Sequence, residues 1–177
     1  MAILHFPDQN RQITDIPEIR RFLTDRNIWF DQWQASTPLP VEADQETVLA
    51  AYRHVLEPFM AQNGYKTADV INLNAHTPNY PAIRNKFLAE HRHTEDEVRF
   101  FVQGQGAFWF NLDNGSDPVF YVLCQAGDLI SVPANTRHWF DAGAENPSVK
   151  AIRIFIDASG WVPHYTDSGI DRQYAKA

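Results

Sequence analysis

The sequence predicts a mainly β fold, a sandwich, jelly roll or barrel preceded by helices and forming one domain. Two observations carry this. After residue 90 come the short apolar segments "VRFFVQG", "GAFWFNL", "PVFYVLC", "GDLISVP", "RHWFDAG" and "VKAIRIFID", with no helical pattern between them. The links "DNGSD", "QAGD", "PANT" and "GAENP" consist of residues that favour turns, so the run reads as strands joined by tight connections. Before residue 85, in contrast, apolar residues recur mostly at helical spacing. A chain of 177 residues, 44% of them hydrophobic, is long enough to bury one substantial core.

In chain order, "TDIPEIRRFLTDR" predicts a helix with Asp15 as N-cap, Pro17 in the first turn, and Ile16, Ile19, Phe22 and Leu23 on one face. "IWFDQW" (28–33) reads as a short strand. "DQETVLAAYRHVLEPFM" predicts a helix from Asp44 with Val48, Tyr52, Val55, Leu56 and Phe59 as its apolar stripe. Pro58 is expected to kink or loosen its last turn. "DVINLN" (69–74) reads as a second strand, and "PNYPAIRNKFLAEH" as a short helix leading into the strand region. The expected division is a helix-rich part over 1–84 packed on a β-barrel core over 85–165, with 166–177 as a tail whose last residues, "DRQYAKA", read as frayed.

Charge and composition exclude several function classes. The net charge of −7 argues against nucleic acid or an anionic membrane as partner, because both need clustered Lys and Arg. One cysteine, Cys124, allows neither an intramolecular disulfide nor a cysteine zinc site, and its apolar surroundings make it a core residue. No window approaches the ~20 apolar residues of a membrane span. The start "MAILHFPDQNRQ" lacks the features of a signal peptide. A cytoplasmic monomer is the expectation.

The segment "HRHTEDEVRFFVQG" places polar groups on the leading edge of a strand that otherwise reads as core. Burying them costs free energy unless something offsets the desolvation. His91 and His93 are two apart and share a face of an extended chain, as do Glu97 and Arg99. His138, after the turn "PANT", offers a third imidazole. Three nitrogens and one carboxylate suit a borderline divalent ion such as iron, nickel, manganese or zinc. His5 and His164 read as surface residues, His54 as a surface or half-buried structural one, and His76 lies in the loop "NAHTPNYP" with no role to assign. No Ser-His-Asp set, phosphate loop or CxxC competes with the metal reading.

The wider pattern resembles the two cupin motifs. His91-x-His93-x3-Glu97-x6-Gly104 fits the first, and Gly127-x5-Pro133-x4-His138 fits the second. Asn85, Asn135 and Ala142 depart from it, standing where those motifs carry glycine, glycine and asparagine. The resemblance implies a cupin-type jelly-roll β-barrel with a metal site in the 85–165 core. "HRHTEDEVRFFVQGQGAFWF", "DLISVPANTRHWFD", "AIRIF" and "GWV" further resemble the acireductone dioxygenase family, over most of residues 65–165.

That resemblance implies an enzyme of methionine salvage acting on 1,2-dihydroxy-5-(methylthio)pent-1-en-3-one and O2. It implies one Fe(2+) or Ni(2+) per chain, held by His91, His93, Glu97 and His138. It also implies formate and 4-methylthio-2-oxobutanoate from the iron form, and carbon monoxide, formate and 3-(methylthio)propanoate from the nickel form. By the family pattern, Arg99 is the residue linked to forming the substrate dianion. Phe87, Phe140 and Trp161 match pocket walls, and Glu90 and Asp96 match positions linked to metal incorporation and conformational relay. Read without the family, Glu90 and Asp96 are solvated acids.

Charge accounting supports Arg99. A divalent ion with one carboxylate carries a net +1, and a chelated dianion would bring the site to −1. A fixed guanidinium offsets this without acting as the base. Arg153 interrupts an apolar strand and is expected to face the pocket or a buried acid. Two other readings use the same residues: a different cupin reaction without oxygen, such as isomerisation, or a metal-dependent binding module.

Overall fold

The computed structural model describes residues 1–113 and 115–174, and the side chains at positions 160 and 161 also lie outside that description. The chain opens with a hairpin, β1 (Ile3–Phe6) and β2 (Arg11–Ile13), that the sequence pattern did not indicate. Helix α1 (Ile16–Thr24) starts as expected: the Asp15 carboxylate accepts the Glu18 amide at 2.9 Å, and Ile19 and Leu23 are buried. Strand β3 is Trp29–Gln32.

The expected long helix is two, α2 (Gln45–Ala51) and α3 (Arg53–Asn63), with Asp44 capping the first. The break falls at Tyr52, not near Pro58, which lies within α3. At Tyr52 the carbonyl accepts the amides of both Val55 and Leu56, and the ring packs edge-on against Phe100 at 5.3 Å. Pro58 is tolerated because the carbonyl it leaves free is that of His54, and both residues lie on the exposed face.

Then follow β4 (Thr67–Leu73), α4 (Tyr80–Leu88), β5 (His91–Arg92) and β6 (Glu97–Asn111). The rest of the barrel is β7 (Val119–Gln125), β8 (Asp128–Val132), β9 (His138–Asp141) and β10 (Val149–Phe155). A 3-10 turn (Ala158–Trp161), β11 (His164–Tyr165) and α5 (Ile170–Tyr174) complete the described chain.

One sheet surface runs β11-β5-β9-β6-β7-β1-β2, and the other joins β4, β10, β6, β8 and β3. Strand β6 belongs to both. The sequence suggests two strands here, "VRFFVQG" and "GAFWFNL", but they are one strand bent at Gly104. There φ is +69°, and a Cβ would sit 1.8 Å from the Ser148 carbonyl oxygen, so only glycine allows the bend.

Period-two alternation then sorts the side chains. Phe101, Phe108, Phe110, Ile130, Phe140 and Ala151 fill the interior. Val98, Phe100, Val102, Ile152 and Ile154 face the other way and are covered by Val48, Tyr52 and Leu56 of the helices. Each such burial contributes about 1.5–3 kcal/mol. Glu97 and Arg99 fall on the Phe101 side, so alternation carries them inward.

The tail is docked rather than frayed as far as Tyr174. The Tyr174 hydroxyl donates to Asp8, and its ring packs against Trp109 and Trp139 at 5.5 and 6.3 Å. Residues 175–177 lie outside the described part. No helix among the described residues is long and apolar enough to cross a membrane.

Candidate active site

His91 sits on β5, where its register partners are His138 of β9 and Tyr165 of β11. Glu97 opens β6, and His93 lies in the bend between β5 and β6. The bend is tied to the turn before His138: the His93 carbonyl accepts the Asn135 amide at 2.8 Å, and Asp96 accepts the Ala134 amide at 2.7 Å. Asn135 has φ +61°, which asparagine tolerates better than most residues, so its replacement of the motif glycine keeps the turn.

Each histidine is oriented by a backbone carbonyl. Nδ1 of His91 faces Ala89 O at 2.7 Å, that of His93 faces Val162 O at 3.0 Å, and that of His138 faces Thr136 O at 2.8 Å. A carbonyl only accepts, so each Nδ1 carries the proton and each Nε2 keeps a lone pair for coordination. The three histidines are buried, with one ligand atom of each lying within 4.8 Å of the others, which makes a three-histidine metal-binding site. Burial, with His138 nearby, lowers the His91 pKa to about 3, so the ring stays neutral.

Glu97 lies beside the three histidines. Its Oε2 lies 3.1 Å from His93 Nε2 and 3.5 Å from His138 Nε2. Lone pairs at that distance repel unless a cation lies between them. His138 Nε2 is buried without a hydrogen-bond partner among the described residues. Both features fit a divalent ion. Burial alone would raise the Glu97 pKa, but the Arg99 guanidinium outweighs it and holds the carboxyl well below the usual range.

Arg99 is buried and donates through Nη2 to Glu97 Oε1 at 2.5 Å. Its Nε and Nη1 have no hydrogen-bond partner among the described residues. Arg153 lines the same cavity and forms a two-point pair with the half-buried Asp69, with Nε to Oδ1 at 2.8 Å. The cavity measures about 190 Å³ and opens onto the histidines, Glu97 and both arginines.

Phe87 and Phe140 line it and meet edge-to-face at 6.2 Å. Trp161 ends the 3-10 turn, and its side chain lies outside the described residues. Ile83, Lys86, Pro163 and Tyr165 also line the cavity and were not singled out from the sequence. Ile83 and Phe87 are four apart, a helical signal for a shared face. Tyr165, on a two-residue strand, left no periodic signal.

Glu90 corrects the solvated-acid reading. It is buried, and its carboxylate accepts from Asn111 at 2.8 Å, Thr166 at 2.5 Å and Ser168 at 2.8 Å. Asp96 is half-buried and bound to the Ala134 amide rather than free in solvent. His54, His76 and His164 are exposed, whereas His5 is partly buried and stacks on Tyr121 at 4.4 Å.

A jelly-roll barrel that gathers three histidines, each oriented at Nδ1 by a backbone carbonyl, beside a buried glutamate defines a cupin-type metalloprotein. Residues 5–163 match the ARD/ARD' family, and the chain belongs to that family. An acireductone dioxygenase of Picosynechococcus is 57% identical over 174 residues, 98% of this chain and 97% of its own length. One from Pseudomonas syringae pv. syringae is 46% identical over 171 residues, covering 96% and 92%. Among solved structures, an acireductone dioxygenase from Bacillus anthracis with a cadmium ion in its active centre superposes with a TM-score of 0.82. Its identity is 36%, over 93% of this chain and 98% of that one.

Proposed function

We propose that the protein is an acireductone dioxygenase that uses Fe(2+) or Ni(2+) to cleave 1,2-dihydroxy-5-(methylthio)pent-1-en-3-one with O2. The observation that carries this reading is the placement of Arg99: a buried guanidinium, two of its donors without a partner among the described residues, in the same cavity as the three oriented histidines. His91, His93, Glu97 and His138 would hold the ion, which would supply Lewis-acid charge and coordination positions for the two enediol oxygens. Arg99 compensates the charge of the deprotonated enediol, and Arg153, its charge balanced by Asp69, adds a second cation to the wall. Phe87 and Phe140 pack the methylthio chain and keep water from the reacting carbons.

Glu90 ties the start of β5 to Asn111, Thr166 and Ser168, a position suited to an effect on metal loading. Asp96 couples the histidine bend to the turn before His138, a position suited to relaying local changes between the two motifs. The protein acts as a cytoplasmic enzyme, one ion per chain, and as a monomer.

Substrate and O2 account for all product atoms in either outcome: formate plus the 2-oxo acid, or formate, carbon monoxide and the shorter acid. The test is separate reconstitution with iron(II) and nickel(II), supply of the enediol and O2, and assay of the gas phase. Carbon monoxide from the nickel form alone, with enediol loss in both, is the expected result. If neither form consumes oxygen, the dioxygenase reading fails and the ion serves another reaction or binding alone.

A further inference from the structure

The Arg99 guanidinium poses a physical problem. It is almost fully buried, it forms one ion pair through Nη2, and Nε and Nη1 have no acceptor among the described residues. A buried cation is normally fixed by acceptors on most of its donors. Here the surroundings are aromatic. The Arg99 Cζ lies 4.6 Å from the centroid of the Phe108 ring and 4.5 Å from that of Phe140. Those rings are direct cross-strand partners on β6 and β9, with centroids 5.3 Å apart and planes at 57°. They form a cleft into which the guanidinium fits.

We infer that Phe108 is a positioning residue for Arg99, holding the cation through its ring face. An aromatic face attracts a cation by its quadrupole and provides no acceptor atom. It therefore restrains the guanidinium while leaving Nε and Nη1 available to an anionic ligand, which a second carboxylate would not. Phe140 shares the task but also lines the cavity, so its own substitution would change the pocket directly. Phe108 is fully buried behind it, is not a cavity wall, and reaches the chemistry only through neighbours: Arg99, the Phe140 ring, and the His138 ring at 5.9 Å.

The inference rests on the dioxygenase reading above, in which Arg99 stabilises the enediolate dianion. The test replaces Phe108 with leucine and, to preserve shape, with mono-, di- and trifluorinated phenylalanines, which weaken the ring quadrupole stepwise. Arg99→Ala serves as the reference. Readouts are metal content, kcat and KM of the iron-loaded enzyme, and the ultraviolet spectrum of the bound enediol under nitrogen, which reports its ionisation.

The expected result is unchanged metal content, with kcat and the dianion fraction falling together along the fluorine series, by about tenfold at the end. A loss in Phe108→Leu with no trend across the fluorinated rings means that Phe108 is packing alone, and overturns the inference. Wild-type behaviour of the whole series beside an inactive Arg99→Ala does the same and leaves the dioxygenase reading intact. A fully active Arg99→Ala overturns the inference together with the role given to Arg99.

Discussion

Arg153 of β10 stands directly opposite Arg99 of β6 in the antiparallel register, and Asp69 of β4 stands opposite Arg153 on its other side. Like charges directly opposite one another on a sheet destabilise it, so the row needs its acids. Glu97 answers Arg99, and Asp69 answers Arg153 with two hydrogen bonds. Asp69→Ala should therefore leave a largely buried cation unpaired and lower stability by about 1–3 kcal/mol. Adding Arg153→Met should recover much of the loss by removing that cation. Urea denaturation of the two variants tests it, and a double variant no more stable than Asp69→Ala would count against mutual neutralisation.

Glu97 and Arg99 should separate metal binding from turnover. Glu97→Ala removes the anionic donor between His93 and His138 and should leave the protein short of metal after dialysis, measured by elemental analysis. Arg99→Ala leaves all four donors in place and should retain metal while kcat falls by about 10²–10³. A full metal load in Glu97→Ala would remove it from the ligand set.

The three histidines that the fold gathers were legible in the sequence because their placement follows local rules: His91 and His93 are two apart on an extended segment, and His138 follows the turn "PANT". Alternation also put Glu97 and Arg99 on one face. Features resting on distant partners were not legible. Glu90 reads as a surface acid beside Ala89, and only the fold brings Asn111, Thr166 and Ser168 to its carboxylate. The two-residue strands β5 and β11 are too short for a pattern. The break at Tyr52 reflects packing on Phe100 rather than helix propensity, whereas Pro58 drew attention for a breaking tendency that solvent exposure makes harmless.

Gly106 should set the width of the pocket. A Cβ built there lies 2.2 Å from Phe140 Cζ, so Gly106→Ala must push the ring, and Phe140 lines the cavity. Overpacking of this kind costs about 1–3 kcal/mol. KM for the enediol should rise with metal content unchanged, and Phe140→Leu in the same chain should relieve the effect. Steady-state kinetics of the single and double variants decide it; an unchanged KM in Gly106→Ala would mean that the ring yields away from the cavity.

Tyr174 should make tail docking depend on alkaline pH. Burial, the hydrogen bond to Asp8 and the charge of Asp8 raise its pKa from 10.0 to about 12. The folded state therefore holds the phenol proton more tightly than a free chain does. The docking contribution is complete below about pH 10 and is lost as pH rises through 12. Because the ring packs on Trp109 and Trp139, undocking should change tryptophan emission with a midpoint near pH 12. Tyr121 also contacts Trp109, so the difference between wild type and Tyr174→Phe is the quantity to read. Identical alkaline titrations of the two proteins would mean that the tail is held by the aromatic contact and not by the hydroxyl.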